Sequence, residues 1–289
     1  MDPSSLKYHL TDDERKEFGQ KGFLILENAI PDDLVQSLIP IVDRLDAQYR
    51  AENGLTSYAR LNKLDFVGMD EAFLELLDWP TTFTKVWGIL GWNIQLYHSH
   101  MTVSPSLPPD ERPKEIEDID WHQDSDRLNI ELETDPQPRV SLKVAYFLTD
   151  TQELGRANLY LAPGSHLWST RTKADADEDT GELRYSGGTE PEGATAVRVA
   201  PGTAVIFDRR IWHSASPNVS DVARKVLFYG YSYRWLRPRD DMSGTRFMDR
   251  CDPIRRQLLG ASSGGNGYTS PRDEDVPLRE WIRGHAGEE

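Results

Sequence analysis

Chemistry is concentrated in one stretch, DIDWHQDSD, residues 118–126. It holds a histidine, His122, and a carboxylate, Asp124, with one residue between them. Side chains alternate along an extended backbone, so residues 122 and 124 face the same side and both can reach one ion. Two readings are open on this stretch alone. Either His122 and Asp124 are two arms of a metal site, or this is a solvated acidic loop in which Asp118, Asp120 and Asp126 face water.

A metal site needs a third ligand. The strongest candidate is His213, which follows the apolar run TAVIF and is flanked by Trp212 and small residues. A lone histidine there would be structural. What changes its weight is Arg224, eleven residues on, at the head of the apolar stretch RKVLFYGY. A guanidinium entering a buried strand needs an anion, because an unpaired buried charge is very costly. Its planar fork matches a carboxylate. Two histidines and one carboxylate leave half an octahedron open, which is the facial triad of non-haem Fe(II) oxygenases. Arg224 would then hold the far carboxylate of a 2-oxo acid that chelates the metal. The chain has a single cysteine, Cys251, so neither a Cys-based zinc site nor an internal disulfide framework is possible.

The elements that must carry these residues change character near residue 93. Before it, LTDDERKEFGQK predicts a helix capped by Thr11 or Asp12 with Glu14 in its first turn, ending at Gly19 or Gly22. GFLILENAI predicts a strand. PDDLVQSLIPIVDRLDAQYRAEN predicts a helix, with Pro31 at its start and Leu34, Leu38, Ile41 and Leu45 on one face. MDEAFLELLDWPTTFTKVWGILG predicts two short helices broken before Pro80, so residues 1–92 read as mostly helical. After it, NIQLYHSHMTV, RVSLKVAYFLTD, NLYLAPGS, TAVRVAPGTAVIFD and RKVLFYGYSYRW are short, rich in β-branched and aromatic residues and separated by turn residues. They predict an antiparallel sandwich or barrel over residues 93–236. Two long polar loops, 104–120 and 170–190, interrupt it. The extension 237–289 is Gly- and Ser-rich, then charged, with VPLREWIRGH as a final short helix. The whole reads as a single domain, 1–289.

Of the remaining histidines, His9 and His285 lie near the ends and are expected in solvent. His98 and His100 share the strand before the H-x-D stretch. Lys143 sits in the middle of an apolar strand. Pointing inward, it would meet an anionic substrate or cosubstrate; pointing outward, it would belong to a solvated strand face. The net charge of −15 and the absence of a large basic cluster speak against a nucleic-acid partner. No apolar run approaches membrane-spanning length, and the first residues lack a signal-peptide core. With one cysteine, a reducing cytoplasmic location is the expectation.

The ordered set of motifs resembles the phytanoyl-CoA dioxygenase family. EFGQKGFLILENAIPDDLV is similar to its N-terminal segment, WHQD to its H-x-D motif, and Pro163, Gly164, Ser165 and His166 to its P-G-S-H turn. WHSASPNVSDVARKVLFYGY is similar to its distal histidine and arginine, and DPIRRQLLG to a C-terminal stretch of bacterial members. The resemblance implies a mainly β fold with α: a double-stranded β-helix, or jelly roll, with N-terminal helices packed on it. It implies Fe(II) at His122, Asp124 and His213, and 2-oxoglutarate on Arg224. It places Gln123 and His100 beside that cosubstrate. His166 is expected to be structural. There are departures. Arg156 and Ala157 stand where members often have Asn-Gly, Ala145 where many have Trp, and Ala215 where a serine can contact the cosubstrate, a role left to Ser216. The implied reaction uses O2 and 2-oxoglutarate, releases succinate and CO2, and hydroxylates an unactivated C–H of a small molecule of specialised metabolism; Lys143 and His98 are candidates to touch that substrate. Asp124 argues against halogenation, since related halogenases have a small residue there. Desaturation, epoxidation, ring formation and a silent binding protein with the same fold are the alternatives. Substrate identity and oligomeric state are not written in the sequence.

Overall fold

The structure is a computed structural model. It describes residues 1–116, 119–169, 174–176, 183–262 and 272–287. Asp118, the side chain of Asp126, residues 170–173 and most of the Gly- and Ser-rich stretch lie outside what is described.

The first helix, α1 (Asp12–Lys21), starts where the sequence places it. Thr11 caps it and Glu14 reaches back to the Thr11 N–H, a reciprocal capping box. Gly22 ends it in the left-handed conformation at φ 83°. Strand β1 (Phe23–Leu26) follows, then α2 (Asp32–Asn53). The early part of the chain is less helical than its composition suggests. LNKL forms β2 (Leu61–Leu64), and Glu71–Leu76 is a 3-10 turn before α3 (Pro80–Leu90). β1 and β2 are edge strands of the large sheet, and edge strands are too short to show a clear alternation.

Among the described residues nine further strands carry the β region: β3 (Ile94–Ser104), β4 (Ser141–Phe147), β5 (Leu159–Leu161), β6 (Ala174–Ala176), β7 (Leu183–Tyr185), β8 (Thr195–Ala196), β9 (Ala204–Asp208), β10 (His213–Ala215) and β11 (Arg224–Tyr233). A short helix, α4 (Asp126–Glu131), follows the H-x-D stretch, and α5 (Pro253–Leu258) and α6 (Pro277–His285) close the chain. The large antiparallel sheet runs β1-β9-β4-β11-β3-β2 and faces a small one, β10-β5-β8. The fold is a jelly roll.

Its central strands are buried on both faces, which is why they read as continuous apolar runs. Ala145, Phe147, Val205, Phe207, Val226 and Phe228 pack inward against Leu159 and Leu161 of the small sheet. Leu142, Val144, Tyr146, Ile206, Leu227 and Tyr229 pack outward against the helices. The outward tyrosines anchor their hydroxyls there: Tyr229 donates to Phe73 O at 2.8 Å and Tyr231 to Leu77 O at 2.6 Å. This alternation fixes the inner face. Lys143 shares it with Ala145 and Phe147. Across β11, Gly230 lies opposite both Lys143 and His98, and Phe228 opposite both Ala145 and His100. Lys143 therefore points into the barrel and is not a solvated strand residue; it is only 5% exposed. His9, expected in solvent, stacks on Trp87 at 4.4 Å.

Candidate active site

The H-x-D stretch is extended because it pairs with the strand that carries His213. His122 N–H donates to His213 O at 3.0 Å, and His213 N–H to His122 O at 2.9 Å. Asp124 N–H donates to Arg209 O at 3.0 Å. This pairing sets the two segments in register. Ser125 then turns the chain at φ 65°, a left-handed conformation, into α4. Trp121 and Trp212 pack into one buried cluster around Ala162 beside the two histidines.

The P-G-S-H turn buttresses this arrangement from outside. Gly164 takes φ 78°, and Ser165 Oγ accepts the Trp212 N–H at 2.8 Å, one residue before His213. Ala162 N–H donates to Trp212 O at 3.0 Å. His166 turns away, its Nε2 3.2 Å from Gly19 O in α1. It is a structural residue.

His122, Asp124 and His213 converge, their ligating atoms all within 4.8 Å of one another. His213 Nδ1 lies 2.9 Å from Ile211 O, which can only accept, so Nδ1 carries the proton and Nε2 keeps a lone pair. That Nε2 lies 4.0 Å from Asp124 Oδ1. Burial, and then His213, pull the His122 pKa down to about 3, and burial also lowers that of His213. Both imidazoles are neutral and able to ligate. Burial pushes Asp124 up, but Lys143, His213 and His122 together hold it far below the usual carboxylate range. Lys143 Nζ sits 2.6 Å from Asp124 Oδ1, while the buried Oδ2 has no hydrogen-bond partner. A carboxylate with one buried, unpaired oxygen, clustered with two neutral imidazoles, is a donor set that fits a divalent iron.

Arg224 lies on the inner face at the start of β11 and is 2% exposed. Nη1 donates to Ala157 O, whereas Nε and Nη2 are buried without a partner. Burial, and then Arg60, lower its pKa to about 9. Two free N–H groups of a buried guanidinium are a vacant carboxylate fork. Ala157 takes φ 51°, a conformation that glycine adopts without strain. A glycine would relieve the strain at this position.

Other predicted residues fall as follows. Gln123 is buried and lines the cavity, but its amide donates to Arg210 O and accepts from Asn129 at 3.4 Å. Ser216 Oγ is buried without a partner and Ser216 is not among the residues lining the cavity, which that segment reaches through His213, Ser214 and Ala215. His98 and His100 both line the cavity, joined Nε2 to Nδ1 at 2.9 Å.

The cavity over the triad measures about 400 Å³. A second, of about 450 Å³, adjoins it and shares His98, Asp124, Ser125, Lys143 and Arg239. Sequence reasoning missed Arg60 immediately before the edge strand β2, Arg184 in β7, and Arg237 and Arg239 after β11. Arg184 pairs with Asp120 at 2.7 Å, which places the 183–185 strand against the H-x-D stretch. Nothing local in the sequence distinguishes these arginines from surface ones. Only the closure of the barrel brings them together.

A family model for phytanoyl-CoA dioxygenase (PhyH) matches residues 18–226, which include the triad and Arg224. The chain belongs to that family. As a family member it is a non-haem iron dioxygenase that uses Fe(II), 2-oxoglutarate and O2. Two ectoine dioxygenases, from Bordetella parapertussis and Bordetella bronchiseptica, are each 25% identical over 244 residues, spanning 77% of this chain and 75% of the relative. Among solved structures, HygX from Streptomyces hygroscopicus with nickel and 2-oxoglutarate bound superposes with a TM-score of 0.59 at 15% identity, covering 80% of this chain and 90% of that one. The carbocyclase SnoK from nogalamycin biosynthesis superposes with a TM-score of 0.56 at 18% identity, covering 84% and 92%. At such identities these two show a shared fold. Among the described residues, no helix is long and apolar enough to cross a membrane.

Proposed function

We propose that this dioxygenase hydroxylates an unactivated C–H bond of a small molecule that carries an acidic group, with release of succinate and CO2. The observation that carries the reading is the placement of Arg224. Its two unpaired N–H groups and the His122, Asp124 and His213 cluster line the same cavity.

Each residue has one task. His122, Asp124 and His213 hold the iron, which when bound supplies the redox chemistry that couples cosubstrate oxidation to attack on the C–H bond. Arg224 takes the distal carboxylate of 2-oxoglutarate. Lys143 fixes Asp124 by occupying Oδ1, which leaves Oδ2 without a protein partner. Trp121 and Trp212 exclude water from the ligand backbone. Keeping a carboxylate at 124 favours hydroxylation over halogenation, because the ligand position is filled.

The acidic group is read from the wall. Arg60 and Arg239 line the main cavity, and Arg237 joins Arg239 in the adjoining one; none has an ion pair among the described residues. In a chain of net charge −15, such a concentration of free arginines at one opening draws anions. The cavity is of small-molecule size. The likeness to ectoine dioxygenases and to a carbocyclase from nogalamycin biosynthesis supports a small substrate in specialised metabolism.

The test has two stages. Anaerobic Fe(II) and 2-oxoglutarate should give a weak visible charge-transfer band, absent in Asp124→Ala. A screen of carboxylic acids by succinate release, with products weighed, then reads the outcome. Gain of one oxygen supports hydroxylation. Loss of two hydrogens in the main product replaces it with desaturation or ring closure.

A further inference from the structure

Behind the cavity wall lies a chain of three residues that the reaction above does not use. Asp240 follows β11, and its carboxylate side chain is 1% exposed. Oδ2 accepts the Ser99 N–H at 2.6 Å and the Ser99 hydroxyl at 2.9 Å. Oδ1 lies 3.0 Å from His98 Nδ1. His98 Nε2 lies 2.9 Å from His100 Nδ1. The His100 ring is stacked on Phe228, centroids 4.2 Å apart, and borders the cavity.

Hydrogen-bond polarity propagates along this chain. An ionised carboxylate only accepts, so His98 Nδ1 carries a proton. In a neutral ring His98 Nε2 is then a lone pair, which requires the proton on His100 Nδ1. His100 Nε2 is left as a lone pair, with no protein partner among the described residues. This polarity holds with both rings neutral. Burial, opposed by the hydrogen bond to Asp240 and aided by Lys143 and Arg239, lowers the His98 pKa. Burial, Lys143, His98 and Arg60 lower that of His100 further, against Asp124.

We infer that Asp240 is a positioning residue that sets His100 Nε2 as a hydrogen-bond acceptor in the cavity, and that the substrate presents an O–H or N–H donor to it. Carboxylate and ketone oxygens only accept, so His100 does not hold 2-oxoglutarate, contrary to the expectation from the family resemblance. The donor must come from the second substrate. The ligand half of this inference rests on the cavity being the substrate's, as proposed above; the polarity half does not.

Asp240→Asn tests it without changing volume. The amide oxygen would serve both Ser99 donors, and the amide N–H would face His98 Nδ1. Every link then reverses, and His100 Nε2 becomes a donor. Ring 15N NMR of the full chain with diamagnetic Zn(II), at neutral pH, should show His98 and His100 protonated at Nδ1 in the wild type and at Nε2 in D240N. A wild-type His100 protonated at Nε2, or as imidazolium, overturns the inference, and so does an unchanged pattern in D240N. The wild-type spectrum decides even if D240N folds poorly. For the ligand half, the probes are 4-hydroxybutyrate and its methyl ether, read by perturbation of the Fe(II)–2-oxoglutarate band. The hydroxy acid should bind about tenfold more tightly in the wild type, the worth of one hydrogen bond, and lose that advantage in D240N. Indistinguishable affinities in the wild type, or an advantage kept in D240N, overturn it. If no band forms with 2-oxoglutarate at all, the dioxygenase reading fails instead, while the NMR result still stands or falls alone.

Discussion

At the scale of single residues, the decisive feature is a charge that lacks its partner. Arg224 is buried with two unpaired guanidinium nitrogens, a state that costs stability unless a ligand pairs with it. Arg224→Gln should therefore have opposite effects on two measurements. Affinity for 2-oxoglutarate should fall on the order of a hundredfold or more, since two charge-assisted bonds of about 1.5–3 kcal/mol each are lost. Fe(II) affinity should be unchanged, and the ligand-free protein should melt no lower than the wild type. Isothermal titration and a thermal melt check this, and parallel loss of iron binding and melting temperature would mean a folding role. This residue was legible in the sequence because a charge inside an apolar strand is conspicuous. His122, Asp124 and His213 were legible by type and order. Lys143 was equally visible but undecided, because a one-residue shift in register exchanges inside for outside. Asp240 was invisible. It lies 142 residues from its partner His98 in the sequence, and nothing near it marks it out.

At the scale of elements, the P-G-S-H turn acts as a bracket between α1 and the ligand strand. Gly164 N–H donates to Lys21 O at 2.9 Å, and Asp208 N–H to Gly22 O at 2.8 Å. A Cβ at Gly22 would lie 2.6 Å from His166 Nδ1, at a φ of 83°. Gly22→Ala should thus cost about 1 kcal/mol for the left-handed backbone and more for displacing the ring. A drop of several degrees in melting temperature is expected. Ser165→Ala acts on the other side of the bracket. It orphans the buried Trp212 N–H at a cost of about 1–3 kcal/mol. Because Trp212 precedes His213, metal affinity should weaken in Ser165→Ala beyond what its melting temperature explains. Chelator competition on both variants separates the two, and equal metal affinity would deny the bracket its reach into the site. The turn could be read from the sequence as a motif. Its attachment to α1 could not, because backbone hydrogen bonds between distant elements leave no trace in residue type. The same limit hid β2, a four-residue edge strand held by pairing to β3.

At the scale of the whole molecule, the histidines make the fold sensitive to acid. His98, His100, His122, His166 and His213 all have pKa values lowered first by burial, that of His122 to about 3. In the unfolded chain each titrates near 6.5. Between those values the unfolded state binds protons that the folded state refuses. Stability then falls as pH falls, by up to about 1.4 kcal/mol per pH unit for each such group. The effect fades out within about one pH unit above 6.5 and grows below it. The carboxylates have a different window. Burial raises Asp208, but Arg210 and Arg139 bring it down to about 2. Its stabilisation is present above 3.8 and is lost only as pH falls towards that lower value. A decline that begins near pH 6.5 therefore belongs to the imidazoles. Melting temperatures of the metal-free protein should be level above that pH and fall steadily between it and the carboxylate range. Saturating Zn(II) should raise the curve at neutral pH, since metal binding selects the folded state. The gain should shrink as the pH drops, because protons compete for the same nitrogens. A metal-free curve that stays flat down to pH 3.8 would show that these histidines are protonated within the fold, and would remove the basis for neutral ligands at His122 and His213.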